Sequence, residues 1–266
     1  QTTQRQRHLP PSATLFLQKI RSPSKRPVQL IPPRTMDLNK HKFMMMQILR
    51  DIFNTPTLAP LLAFKGGTSL MFFYELPRFS VDLDFNLLDP TKEEYVFSSI
   101  KRILSRYGKI DDAAMKHFGP LIVLDYGVGE RMLKVEVSNR QYNNHYEMKT
   151  LMGINMRVMT LPDMFAHKLC ALTDRNEVTG RDIFDCWFFL SRHTPINPEI
   201  VENRMGMPLS DYLNHCIQLM ESTPTKTIMN GLGEVTDGTI KQFAKTKLKT
   251  ELIDLLRIFQ AFPQTI

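Results

Sequence analysis

The chain has 266 residues, 42% of them hydrophobic, enough for one large domain or two small ones with real cores. No run of about 18 apolar residues occurs, which excludes a membrane-spanning helix. Three isolated cysteines, Cys170, Cys186 and Cys216, offer neither zinc spacing nor a disulfide framework, so a reducing, cytoplasmic setting is the simple inference. The net charge of +7 is local: residues 1–35 hold seven of the 34 Lys and Arg and no acid, leaving 27 basic groups against all 27 Asp and Glu. The body of the chain therefore carries no overall bias toward polyanions.

Residues 1–35 are rich in Pro, Ser, Arg and Gln, and the first methionine is Met36. The composition reads as a basic, disordered or non-native tail, with a basic arm or targeting peptide as the competing reading. From Asp37 the pattern turns helical. Phe43, Met45, Ile48, Leu49, Ile52 and Phe53 recur at helical spacing until Pro56. Leu61 to Lys65 reads as a short buried strand, Gly66-Gly67 as a break, and Thr68 to Leu76 as a helix. Ser80 to Leu87 alternates: Ser80, Asp82, Asp84 and Asn86 face one way, and Val81, Leu83, Phe85 and Leu87 the other. A helix is predicted over Thr91 to Tyr107. Strands are predicted over Leu121 to Tyr126 and Met132 to Ser138, around a Gly127–Gly129 turn.

The remainder reads as helical. Thr160-Leu-Pro-Asp163 is a helix-start signature. Helices are expected over Pro162 to Asp174, Arg181 to Arg192, Leu209 to Glu221 and Thr239 to Phe262. The expected fold is α+β, a mixed sheet over 36–150 followed by a helical domain over 151–266.

The chemistry concentrates in Phe64-Lys-Gly-Gly-Thr-Ser-Leu70, followed by Arg78-Phe-Ser-Val-Asp-Leu-Asp-Phe85. Gly66 and Gly67 at a strand-to-helix junction let backbone approach a ligand. The following helix start, with Thr68 and Ser69, presents donors to phosphate. On a strand Asp82 and Asp84 project from one face about 7 Å apart. Their repulsion is relieved by a hard divalent cation that bridges to phosphate oxygens. Glu136, between Val135 and Val137, is a candidate third metal ligand; the alternative is an exposed strand residue paired with Lys134 or Arg131. Ions in two-metal catalysis sit about 3.5–4 Å apart.

A second cluster lies in the helical part. Lys168 and Arg175 share a helix face, and Asp182 and Asp185 share the next. One reading is a salt-bridge network closing a helical hairpin. The other places Lys168 on a triphosphate, where a cation neutralises developing charge. Histidines 117, 145 and 167 lack metal-like spacing and read as incidental.

Both blocks together, Gly-Gly-Thr-Ser-Leu…Arg-x-Ser-x-Asp-Leu-Asp-Phe and His-Lys-Leu-x-Ala-Leu…Arg…Gly-Arg-Asp-x-x-Asp, with Arg175 as the middle Arg of the second, resemble the AbiEii/AbiGii-type nucleotidyltransferases over about Leu58 to Leu190. These are toxin components of abortive-infection and toxin–antitoxin systems. The resemblance implies a polymerase-β-type nucleotidyltransferase core. In it Gly67, Thr68 and Ser69 lie in the nucleotide-cradling turn, and Ser80, Asp82 and Asp84 in the metal motif. Lys168 matches the family lysine and Asp182 the acid after it; Asp185 stands in the same signature. It further implies Mg2+, a nucleoside triphosphate donor, an RNA acceptor such as a tRNA end, and a cognate antitoxin. Two rivals stand beside it. A glycosyltransferase also uses Asp-x-Asp, but too few strands precede Asp82 for its doubly wound half. A non-enzymatic interaction module would have no need of intact carboxylates and Lys168. A nucleotidyltransferase acting on a protein or small molecule is the further alternative.

Overall fold

The structure, a computed structural model, describes residues 37–127, 131–174, 177–232 and 236–266. The tail over 1–35, Arg175 and most of the Gly127–Gly129 turn lie outside the described residues.

Helix α1 (Leu38–Phe53) is started by the Asp37 carboxylate, which accepts from the amides of Asn39 and Lys40. It buries His41, Met45, Ile48, Leu49, Ile52 and Phe53 along one stripe. After a 3-10 turn at Ala59–Leu61, β1 (Leu62–Lys65) runs directly into α2 (Gly66–Phe73). Strand β2 (Leu83–Leu87), α3 (Glu93–Leu104), β3 (Lys109–Lys116), β4 (Gly119–Asp125) and β5 (Leu133–Ser138) follow. The hairpin β6 (Tyr146–Leu151) and β7 (Ile154–Met159) leads into α4 (Leu161–Asp174) and α5 (Gly180–Ser191). The chain closes with α6 (Pro198–Met205), α7 (Leu209–Ser222), α8 (Gly238–Thr246) and α9 (Leu248–Ala261).

The strands form one mixed sheet in the order β3-β4-β5-β2-β1-β7-β6. β1 is antiparallel to β2 and parallel to β7, and β2 is parallel to β5. This α+β architecture is the expected fold class. The sheet, however, runs past residue 150: β7 pairs with β1 near its centre. One hydrophobic core joins the sheet to the helices, from Met45 on α1 to Phe259 on α9. The expected strand from Ser80 begins only at Leu83, leaving Asp82 just before it. The single helix expected from Thr239 to Phe262 is two, broken at Lys247.

Candidate active site

The sheet register sets the chemistry. Lys65 on β1 pairs with Asp84 on β2, and Asp84 pairs with Glu136 on β5. Residues directly opposite in a sheet share a face, so the three charges form one row across three strands. In the next row Asn86 stands beside Ser138. Both rows line a cavity of about 220 Å³, together with Gly66, Lys168, Asp182, Arg140, Tyr142, His167 and Arg204.

Burial pushes the Asp84 carboxyl up to about 6, and the like charges of Asp82 and Glu136 push the same way against Lys65 and Lys168. The same burial lowers Lys65 to about 8, opposed by Asp84 and assisted by Arg140. Lys65 and Lys168 therefore offset the burial and like-charge repulsion at Asp84 only in part. Glu136 is exposed on its strand.

The glycine junction fits closely around these groups. Gly66 has φ +79°, and a Cβ there would stand 2.4 Å from Asp84 Oδ2. A Cβ at Gly67 would stand 2.8 Å from both Ser80 Oγ and Arg78 Nη2. No side chain caps α2, so its first-turn amides remain donors. The hydroxyls are spent elsewhere: Thr68 Oγ1 donates to Asp82 O at 2.5 Å, and Ser69 Oγ donates to Gly66 O at 2.9 Å. Both side chains are fully buried. They hold the turn and the segment before β2 in place. Gly67, Thr68, Ser69, Ser80 and Asp82 do not line the cavity; Gly66, Asp84, Glu136, Lys168 and Asp182 do.

Lys168 on α4 stands 2.8 Å from Asp185 Oδ2 and 3.4 Å from Asp182 Oδ1 on α5. Thr179 caps α5 and donates its hydroxyl to Asp182 Oδ2 at 2.7 Å. Burial works against both charges of the Lys168–Asp185 pair. Asp185 and Asp182 nevertheless hold Lys168 above its ordinary value, and Arg78 with Lys168 holds Asp185 below its own. Asp185, whose role the sequence left open, is thus the anchor of the cluster, and Arg78 is its second cation.

Cavity residues that went unrecognised in the sequence include Lys65, Arg140, Tyr142, His167 and Arg204. His167 is not incidental. Its Nδ1 accepts from Arg204 Nη1 at 2.7 Å and its Nε2–H donates to Asn144 Oδ1 at 2.7 Å. Burial, and then Arg204, Lys65 and Arg140, hold it far below the usual histidine range, so it is a neutral spacer. Arg204, also paired with Asp174, lies over the Tyr142 ring. The sequence signal for these was weak, since Arg140-x-Tyr142 sits in a loop and Arg204 on a helix that the pattern did not suggest. His41 donates from Nε2 to Val81 O at 2.8 Å and accepts at Nδ1 from the Tyr126 hydroxyl. That bond ties α1 to the residue preceding Asp82.

A mixed sheet, a glycine turn opening a helix, an Asp-x-Asp at the start of the neighbouring strand and a lysine reaching in from a helix are the arrangement that the resemblance to nucleotidyltransferases implied. Residues 47–207 match the family of nucleotidyltransferase AbiEii toxins of type IV toxin–antitoxin systems. The chain belongs to that family. Solved structures share the fold. MenT4, a nucleotidyltransferase toxin from Mycobacterium tuberculosis, superposes with a TM-score of 0.59 at 17% identity, covering 83% of this chain and 84% of its own. JHP933 from Helicobacter pylori gives 0.53 at 22% identity, covering 84% and 92%. A comparison with curated protein sequences gives no match.

Proposed function

We propose that the chain transfers a nucleotide from a nucleoside triphosphate to a hydroxyl of an RNA acceptor, in a magnesium-dependent reaction. In the cell it would be the cytoplasmic toxin of a pair silenced by a cognate antitoxin. The observation that carries this reading is the row Lys65–Asp84–Glu136 facing the same cavity as Lys168. A tRNA end as acceptor rests on the family resemblance.

The residues fit magnesium by their chemistry. Asp84, raised to about 6 by burial and neighbouring carboxylates, is a hard oxygen donor whose charge seeks a cation. Among the described residues no group of three or more His, Cys, Asp or Glu side chains stands close enough together to hold a metal ion. Magnesium commonly takes one or two carboxylates and completes its shell with water and substrate phosphates. Asp82 and Asp84 would hold it; Glu136 stands beside Asp84 in the next strand. When bound it supplies charge neutralisation and a more acidic nucleophilic hydroxyl.

The chain's own groups do the rest. The bare amides at the start of α2 and the side-chain-free surface of Gly66 receive phosphate oxygens. Lys168, held by Asp182 and Asp185, balances charge accumulating on the departing pyrophosphate. Lys65, lowered to about 8, adds a second cation beside Asp84. The α4 helix and the sheet face bound the cleft and limit water around these charges.

Calorimetric titration with each nucleoside triphosphate and magnesium tests the donor half. Binding that persists unchanged in an Asp82→Ala/Asp84→Ala double variant, or in EDTA, overturns it. Labelled triphosphates against UDP-sugars, with total RNA as acceptor, test the transfer itself. Label entering from a UDP-sugar would establish the glycosyltransferase reading instead.

A further inference from the structure

A second cavity of about 220 Å³ abuts the first, lined by Lys116, His117, Phe118, Gly119, Leu121 and Glu136. Glu136 lines both, so it stands between them. Arg140 makes a second link: it lines the first cavity, and its guanidinium lies 4.6 Å from the centre of the Phe118 ring beside the second. A group transferase must bring donor and acceptor together at the reacting carboxylates, and two contiguous cavities divided by one carboxylate provide for that.

The turn that carries Phe118 is held to the sheet. Asn139 N donates to Phe118 O at 3.0 Å. Gly119, at φ +112°, passes so near β5 that a Cβ would fall 2.1 Å from Val137 O. The tip of the β3–β4 hairpin is therefore fixed in place, yet Phe118 stays 49% exposed, and His117 meets its ring edge-on at 4.6 Å. An apolar ring kept in solvent among Lys116, His117 and Arg140 has the chemistry of a single-stranded nucleic acid site: an aromatic face for a base and cations for its phosphates. The Nε of Arg140 is buried without a hydrogen-bond partner among the described residues, and such a donor at the junction calls for an acceptor from a ligand.

We propose that this second cavity seats the terminal nucleotide of a single-stranded RNA acceptor, its base on Phe118 and its hydroxyl directed toward Glu136. The proposal rests on the transferase reading above for its biological sense, but its test is independent of activity. In the absence of any triphosphate, fluorescence anisotropy of a labelled single-stranded RNA oligonucleotide is measured against the full chain. Wild type binds; Phe118→Ala weakens binding tenfold or more; Phe118→Trp retains it; triphosphate affinity is equal in all three. Should Phe118→Ala fold poorly, Lys116→Glu gives the same comparison through charge. RNA binding that is absent in wild type, or indifferent to Phe118 and Lys116, overturns the proposal. So does nucleotide transfer onto protein in place of RNA. Wild type that binds RNA through Phe118 but transfers nothing refutes the transferase reading and supports this site. Transfer to RNA with an acceptor KM unchanged in Phe118→Ala refutes this site and leaves the transferase reading standing.

Discussion

Arg78 donates from Nε and Nη2 to the two carboxylate oxygens of Asp185, at 2.7 and 2.6 Å, across 107 positions of sequence. Both side chains are almost wholly buried. The pair joins the segment leading to Asp82 and Asp84 with the helix that carries Asp182, so the two motif blocks are fixed to one another by a single fork of charge-assisted bonds. Lys168 completes the cluster from a third element. Breaking a buried pair by removing one partner leaves the other charge uncompensated. Asp185→Ala strands Arg78, leaves Lys168 only the longer pair with Asp182, and is expected to destabilise the fold by about 3–5 kcal/mol. A urea titration measures it; a loss of less than about 1 kcal/mol shows that the cluster does not hold the two blocks together.

Lys168→Ala should behave differently. Asp185 keeps its bidentate Arg78, and Asp182 keeps the Thr179 hydroxyl, so both acids remain partnered. Stability falls modestly, while transfer falls about a hundredfold or more, the scale of losing one preorganised charge at a reacting centre. Lost stability with near-normal turnover per folded molecule would return Lys168 to a purely structural role.

Asp84 sets a pH dependence whose direction follows from its raised value of about 6 against an ordinary 3.8. The folded state binds this proton more tightly than the unfolded chain. Asp84 therefore costs the fold nothing below about pH 4, progressively more between 4 and 6, and its full penalty above 6. Asp84→Asn removes the penalty. The variant should melt several degrees higher than wild type at pH 7.5, with the gap closing as pH falls from 6 to 4. Magnesium should raise the melting temperature of wild type at pH 7.5 and leave the variant unmoved. Thermal scans at three pH values, with and without magnesium, check both. A gap that widens toward low pH contradicts the assignment.

The parts legible in the sequence were those with strong local signals. Alternation around Val81 to Leu87 and the glycine pair located β2 and the turn before α2, because glycine and period-two patterning are local properties. The β6–β7 hairpin was not legible: its two-residue turn places Met152 at φ +51° and Gly153 at φ +79°. Such turns favour Asn or Asp at the first position, so Met-Gly gave no warning. Strand β3 was hidden by an irregularity in register between Ile110 and Asp112, which interrupts the alternation that reveals a strand. Helix α6 did carry signals, Pro198 at its start and Gly206 at its end with φ +67°, but its short length gave little periodicity. In the site, the partner of Lys168 depended on how α4 and α5 cross. Spacing put Asp182 and Asp185 on one face and the family resemblance pointed to Asp182, whereas packing brought Asp185 nearer.

Gly66 and Gly153 separate backbone strain from encroachment on the site, because both have φ +79°. An alanine at either position meets the same left-handed penalty, about 1 kcal/mol. Around Gly153 nothing lies within 4 Å of the added methyl, whereas at Gly66 it lands 2.4 Å from Asp84 Oδ2. Gly153→Ala should thus lose about 1 kcal/mol and keep full transfer. Gly66→Ala meets that strain and must also push the Asp84 carboxylate out of the row it shares with Lys65 and Glu136. Displacement of a reacting group by an ångström costs about a hundredfold, so transfer should fall at least that far, and magnesium should no longer raise the melting temperature. Denaturation curves and transfer rates on the two variants decide it. Equal activity in both would mean that the cradle around Asp84 yields freely, and that the closeness of Gly66 to Asp84 does no catalytic work.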